Sequence, residues 1–210
     1  ERPFAVILGG SKVSDQLGVI SALLGKANKL LICGGMSYTF TLANGGKVGK
    51  SLQEPDQIET VKGYIETAEK NGVELILPTD TVAASEFSAN AHSKIVPSNQ
   101  IPDDMEGLDI GPESEKEFAN ALADAKTIVW NGPAGVFEFD KFSSGTKAIA
   151  KALIQAKKNG AFTVIGGGDS ASAVRKFGYD ESNFSHISTG GGASLEFLEG
   201  KRLPGLEVLN

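Results

Sequence analysis

The chain has 210 residues, a formal charge of −6 and a single cysteine. The length allows one sizeable core, as one large domain or two small ones. The acidic balance argues against a nucleic-acid or anionic-membrane surface, and the lone Cys33 excludes an internal disulfide framework.

No apolar run approaches the ~20 residues of a membrane span. The start at Glu1-Arg2-Pro3 lacks an initiator methionine, so a processed chain, or one cut from something longer, is expected. Glycine supplies 26 of the residues, close to twice its average usage of about 7%. Such an excess suggests backbone needed for special turns or for close approach to a ligand.

One pattern recurs along the chain: a short apolar run, a glycine-rich turn, an amphipathic helix. Residues 4–8 predict a strand and Gly9-Gly10 a turn, after which Val13, Leu17, Ile20 and Leu24 fall at helical spacing. Residues 29–33 predict the second strand and Gly34-Gly35 its turn, with a short helix through Phe40 and Leu42 ending at Gly45-Gly46. A helix from about Asp56 puts Ile58, Val61, Ile65 and Ala68 on one face and stops at Asn71-Gly72. Residues 74–77 read as a strand, and 78–111 as loop with short strands such as 94–96. Pro112 suits a first helical position, ahead of Phe118 and Leu122. A strand over 127–130, a turn over 131–135 and a helix from about Ser144 to Asn159-Gly160 follow. The strand 162–165, the turn Gly166-Gly167-Gly168-Asp169 and the helix 170–177 form the next unit. The last runs from His186 through Gly190-Gly191-Gly192 to 194–199.

Strands alternating with helices imply βαβ units. Runs such as Thr127-Ile128-Val129-Trp130 are too apolar for a wet face. The expected fold is α/β, a three-layer Rossmann-like parallel sheet with helices on both faces, forming a single domain over 1–210. In such a sheet all strand C-termini share one edge, so five glycine clusters converge where open α/β sheets bind ligands. Turn N–H groups and helix N-termini there favour anions. Gly166 to Ser170 can bring bare backbone to a phosphate, with Asp169 able to hold Mg²⁺; the bland alternative has Asp169 or Ser170 as a helix cap. Lys12 can neutralise a phosphate or be a solvated surface charge. Glu138, just after Asn131-Gly132-Pro133, can accept ribose hydroxyls or stand as an unpaired surface glutamate. Neither GxxxxGK[ST] nor GxGxxG occurs. His92 and His186 lack the partners of a metal site.

These turns, in this order, resemble phosphoglycerate kinase. The resemblance is carried by Leu8-Gly9-Gly10-Ser11-Lys12-Val13, Gly34-Gly35-Met36, Gly107-Leu108-Asp109-Ile110-Gly111-Pro112, Val129-Trp130-Asn131-Gly132-Pro133, Gly135-Val136-Phe137-Glu138, Gly145-Thr146-Lys147-Ala148, Gly166-Gly167-Gly168-Asp169-Ser170 and Ser188-Thr189-Gly190-Gly191-Gly192-Ala193-Ser194. It spans the chain and matches the family's C-terminal, nucleotide-binding domain. It implies reversible phosphoryl transfer between Mg-ATP and 3-phosphoglycerate in glycolysis, with the acceptor held by an N-terminal domain absent from this chain. Carried over, Lys12 approaches the nucleotide phosphates. Gly10, Gly34, Gly35, Leu52, Gly107, Leu108 and Val136 line the adenine slot. Asn131 and Pro133 border the nucleotide, and Glu138 binds the ribose. Gly167, Gly168, Asp169 and Ser170 meet the phosphates, with Asp169 at the Mg²⁺. Residues 188–192 face the closing cleft, and Lys12, Gln16, Gly167, Gly190 and Gly191 are the candidate catalytic positions. Two positions depart from the family. Cys33 replaces a glycine. Gln16 stands where many members carry a second lysine, one helical turn after Lys12 and on the same face.

The expected molecule is thus a cytoplasmic, monomeric kinase fragment that binds ATP or ADP but does not turn over alone. The alternative is a standalone nucleotide-binding or regulatory module without catalysis. A dehydrogenase-like domain suffers from the missing dinucleotide fingerprint.

Overall fold

The computed structural model describes residues 1–188. Strand β1 (Phe4–Leu8) leads through a 3-10 turn (Val13–Gln16) into helix α1 (Leu17–Leu23), then β2 (Lys29–Ile32) and α2 (Ser37–Ala43). The short β3 (Lys47–Val48) precedes α3 (Ile58–Asn71) and β4 (Glu74–Ile76). Next come β5 (Asp80–Ala84), β6 (Ser93–Pro97), β7 (Gln100–Ile101), β8 (Glu106–Ile110) and α4 (Pro112–Leu122). The chain continues with β9 (Thr127–Asn131), α5 (Ser144–Lys158), β10 (Phe162–Gly166), α6 (Gly168–Lys176) and β11 (His186–Ile187).

Six strands form one sheet in the order β11-β10-β9-β1-β2-β4, with every pairing parallel. The two-faced burial expected of apolar strands is visible in β1. Ala5 and Ile7 pack with Phe118 and Leu122 of α4 and with Ile149 and Leu153 of α5. Val6 and Leu8 pack on the other side with Ile20 of α1, Phe40 of α2 and Val61 of α3. The result is the expected three-layer α/β sandwich. From β1 the chain moves outward through β2 to β4, then returns to β9 on the other side of β1. This reversal makes the boundary between β1 and β9 the topological switch point, where ligands of open α/β sheets bind.

Two sequence expectations need correction. Residues 78–111 hold the expected strand at 94–96, within β6, but carry more strand than that: β6-β5-β8 form an antiparallel sheet, and β3 pairs with β7. These strands escape a hydrophobicity reading because polar residues are buried within them. Thr81 of β5 meets Ser98 through their hydroxyls at 2.7 Å. Asp80 caps α4 from a distance, accepting from Glu113 N at 3.0 Å and from Ser114 N at 2.8 Å. A register shift between Val82 and Ala83 also interrupts the alternation. The second correction concerns the segment after β1. Lys12 is extended (φ −137°, ψ 135°), and the 3-10 turn separates it from α1. Lys12 and Gln16 therefore do not share an α-helical face.

The turns after β1 and β9 touch through bare backbone. A Cβ built on Gly132, whose φ is 101°, would lie 2.2 Å from Gly9 O. Gly72, at the end of α3, also has positive φ (71°), but nothing lies within 4 Å of its Cβ position. Gly72→Ala should therefore cost only conformational strain, about 1 kcal/mol. Gly132→Ala should cost about 1–3 kcal/mol more, because backbone must move. Urea unfolding followed by circular dichroism measures both; equal costs would show that the two turns can separate freely.

Candidate functional site

Four glycine turns of the described residues sit at the C-terminal edge of the main sheet, after β1, β2, β9 and β10. They are held to one another by backbone and by buried side chains. Gly9 N donates to Asn131 O at 2.8 Å and Met36 N to Gly10 O at 3.0 Å. Trp130 is fully buried, and its Nε1 donates to Gly132 O at 2.7 Å. Gly132 N donates to Ser170 Oγ at 2.7 Å, tying the turn after β9 to the start of α6. Ala134 N donates to Thr146 Oγ1 at 3.1 Å.

Between these turns lies a cleft in two connected parts. The larger, about 700 Å³, has Gly10, Gly34, Gly35, Leu52, Gly107, Leu108, Pro133, Val136 and Glu138 in its walls. The smaller, about 230 Å³, is lined by Lys12, Gln16, Asn131, Gly167, Gly168, Asp169 and Ser170. Gly10, Ser11, Pro133 and Asp169 belong to both, so the parts are continuous. Every catalytic or nucleotide-binding candidate named from sequence within residues 1–187 therefore lines this cleft; Ser188 is not among the lining residues, and positions 189–192, Gly190 and Gly191 included, lie outside the described residues. The walls differ in character. Leu52, Leu108 and Val136 give the larger part apolar surface, whereas the smaller is polar and bounded by glycine backbone.

Several placements refine the expected roles. The helix cap of α6 is Gly167 (φ 88°, ψ 147°), and no side chain caps it. The capping alternative for Asp169 and Ser170 therefore does not hold. Asp169 stands exposed in the first turn of α6, with its carboxylate uncommitted to capping. Ser170 is fully buried and serves the turn through Gly132 N. Glu138 is positioned from below: Lys176 Nζ donates to Glu138 O at 2.8 Å and to Phe137 O at 3.2 Å, and Phe137 packs edge-on against Phe177. Leu52 lies over Gly35, where a Cβ would stand 2.8 Å from Leu52 Cδ2.

Sequence reading missed Tyr38, Lys50, Phe87, Glu106 and Phe139, which complete the larger part. Phe87 is 62% exposed and packs edge-on against Phe139, with ring centroids 5.3 Å apart. It belongs to the 78–111 region that carries no glycine turn, so no local motif marked it.

Fold and cleft define a Rossmann-like α/β protein with a cleft at its switch point. Residues 1–201 match the family model described as phosphoglycerate kinase. The phosphoglycerate kinase of Bifidobacterium longum (strain DJO10A) is 64% identical over 212 residues, covering 100% of this chain and 53% of that protein. That of Kineococcus radiotolerans is 58% identical over 214 residues, with coverage of 100% and 51%. The solved structure of phosphoglycerate kinase from Coxiella burnetii superposes with a TM-score of 0.91 at 38% identity, over 100% of this chain and 53% of that one. The chain belongs to the phosphoglycerate kinase family. It spans about half the length of the curated relatives it matches.

Beside the larger part lies Asp109, 1% exposed and, among the described residues, without a cationic partner. Its carboxylate accepts from Ile110 N at 2.9 Å and from Gly145 N, in the first turn of α5, at 3.0 Å. A Cβ on Gly135 or Gly145 would stand 2.5 or 2.3 Å from Asp109 Oδ1, so both glycines press on it. Burial raises the Asp109 carboxyl from 3.8 to about 8, against the pull of the two N–H groups, with Glu115 adding to the rise. The same buried pocket pushes the Cys33 thiol and the Tyr38 phenol upward, chiefly by desolvation.

A raised acid holds its proton in the native state after the unfolded chain has lost it. The native state is therefore unpenalised below about 4, loses stability as pH rises from about 4 to 8, and bears the full cost above. Asp109→Asn carries no charge but loses one acceptor. It should be less stable than the wild type at pH 5, with the gap narrowing by up to about 1.4 kcal/mol per pH unit toward pH 8. Thermal melts of both proteins across pH 5–9 test this; a constant gap would mean that Asp109 is ionised throughout.

Proposed function

We propose that this chain is the nucleotide-binding, C-terminal half of a phosphoglycerate kinase, a single monomeric domain of the cytoplasm. The observation that carries this reading is the two-part cleft: an apolar slot joined, through shared glycine backbone, to a polar compartment holding Lys12. A nucleotide has the same division, a flat base at one end and an anionic polyphosphate at the other. The slot around Leu52, Leu108 and Val136 receives adenine, Glu138 accepts from the ribose hydroxyls, and Lys12 and the turn amides meet the phosphates.

Asp169 fits a magnesium ion, because its carboxylate is exposed at the polar compartment and free of capping bonds. No group of three or more His, Cys, Asp or Glu among the described residues could hold a metal alone. Such an ion would take its remaining ligands from phosphate and water, as magnesium commonly does. When bound, it neutralises charge on the phosphate oxygens.

The reaction supported by family membership is phosphoryl transfer. A carboxylate oxygen of 3-phosphoglycerate bonds to the γ-phosphorus of ATP, and the bond to the bridging β-γ oxygen breaks, its electron pair leaving with ADP; the reverse step regenerates ATP. Lys12 and the glycine N–H groups hold the phosphates in line and stabilise their spreading charge. The acceptor belongs elsewhere. Arg2 bonds Asn28 Oδ1 at 2.8 Å before β1, at the opposite sheet edge, and Arg175 pairs with Glu181 at 2.9 Å. Among the described residues no arginine lines the cleft, although a planar guanidinium best matches a phosphate or carboxylate.

Calorimetry on the folded chain should show binding of Mg-ADP; no heat at millimolar nucleotide would remove the basis of this reading. Glu138→Ala should lower affinity about tenfold with or without magnesium, the worth of a hydrogen bond to a charged group. Asp169→Ala should remove only the part that depends on magnesium. In a coupled assay the chain alone should give no ATP consumption that saturates with 3-phosphoglycerate. Without an acceptor site, positioning worth roughly 7–11 kcal/mol in favourable cases is lost.

A further inference from the structure

Among the described residues, two buried side-chain polar atoms have no hydrogen-bond partner: Gln16 Oε1 and Asn131 Nδ2. Both residues line the polar compartment. Asn131 is only 8% exposed. Native proteins keep few such orphans, because an unpaired buried group forfeits its hydration. Each amide has its other end against a glycine turn. A Cβ on Gly10 would stand 3.5 Å from Gln16 Nε2, and one on Gly167 would stand 3.0 Å from Asn131 Oδ1.

One orphan donates and the other accepts, and this difference limits what can satisfy them. The compartment's donors include Lys12, Gln16 Nε2 and Asn131 Nδ2; its acceptors include Gln16 Oε1, Asn131 Oδ1 and the carboxylates of Asp15 and Asp169; the Ser11 and Ser170 hydroxyls can do either. An ionised phosphate only accepts. It can satisfy the donors but offers nothing to the acceptors, which need an O–H, an N–H or a cation. A polyphosphate that arrives with a hydrated cation supplies both. Magnesium surrenders its water reluctantly, and cation-bound water is a polarised, strong donor.

We infer that Gln16 Oε1 accepts a hydrogen bond from water in the hydration shell of the nucleotide's magnesium, while Asn131 Nδ2 donates to a phosphate oxygen. This rests on the nucleotide reading of the cleft. Gln16 is then a specificity-determining residue that distinguishes metal-bound from metal-free nucleotide. With its amide turned over, Nε2 would instead be the orphan, and bare phosphate would satisfy it.

Calorimetric titration of ADP, with magnesium and separately with a chelator, tests the assignment on the wild type, Gln16→Met and Gln16→Glu, each checked for fold by circular dichroism. Gln16→Met keeps the side-chain length but removes the acceptor. It should lose about threefold to tenfold in affinity for Mg-ADP, the worth of one net hydrogen bond, and leave metal-free ADP unchanged. Gln16→Glu keeps the acceptor and adds negative charge. It should weaken metal-free ADP and so raise the ratio of the two affinities. Equal loss by Gln16→Met under both conditions, or no loss, overturns the inference. A wild-type chain that binds neither form overturns the cleft reading and this inference with it.

Discussion

The contact on which the cleft depends is backbone against backbone, Gly9 against Gly132. Strands β1 and β9 are neighbours in register from Phe4 opposite Thr127 to Leu8 opposite Asn131, so their turns leave the sheet side by side. Strand spacing of about 4.8 Å leaves no room for a side chain between them. Gly34 repeats the arrangement toward β2, where a Cβ would stand 2.7 Å from Gly10 N. These glycines first let the turns pack on one another. The packed turns then wall the cleft with backbone instead of side chains, while Gly9 N and Gly132 N are spent on holding the turns to Asn131 and Ser170. Buried Trp130 fixes the arrangement by bonding the carbonyl of the same Gly132 that meets Gly9.

On the proposed reading, this packing lets an acidic protein offer an anion site. The formal charge is −6, but the polar compartment is lined by Lys12 and by the glycine backbone of the turns after β1, β9 and β10. Local placement outweighs net charge at hydrogen-bond range, where screening is weakest. In the proposed function, the compartment's acidic groups, Asp15 and Asp169, would complement a cation brought by the nucleotide. Asp109 plays a different part. It is buried beside the cleft, and it joins β8, the turn at Gly135 and the start of α5 through contacts that neighbouring side chains would block.

Legibility in the sequence followed the physics of each element. Strands of the main sheet are buried on both faces, and runs such as Phe4 to Leu8 or Thr127 to Trp130 show it directly. The glycine turns announced the rim because only glycine satisfies both positive φ and backbone contact at positions such as Gly132. The region 78–111 was opaque. Its strands bury Asp80, Thr81 and Asp109, and their polar atoms are paired largely by residues distant in sequence, such as Ser114, Ser98 and Gly145. Phe87 was missed as a cleft residue because nothing adjacent to it signals a cleft until β5, β6 and β8 fold; Tyr38, just after the Gly34-Gly35 turn, read only as part of a short helix.

By itself the sequence determined the α/β alternation, the edge at which the turns gather and the residue types available there, because periodicity and glycine placement are local properties. Only the tertiary structure decided which turns touch, how the cleft divides into an apolar and a polar part, and which polar atoms remain unpaired. Lys12 and Gln16 show the difference. Four positions apart, they read as one helical face, yet an extended Lys12 and a 3-10 turn separate them, and they meet again only as walls of the same compartment. Hydrogen-bond satisfaction is a property of the whole packed molecule, so no local pattern could reveal that Gln16 Oε1 and Asn131 Nδ2 would be left without partners.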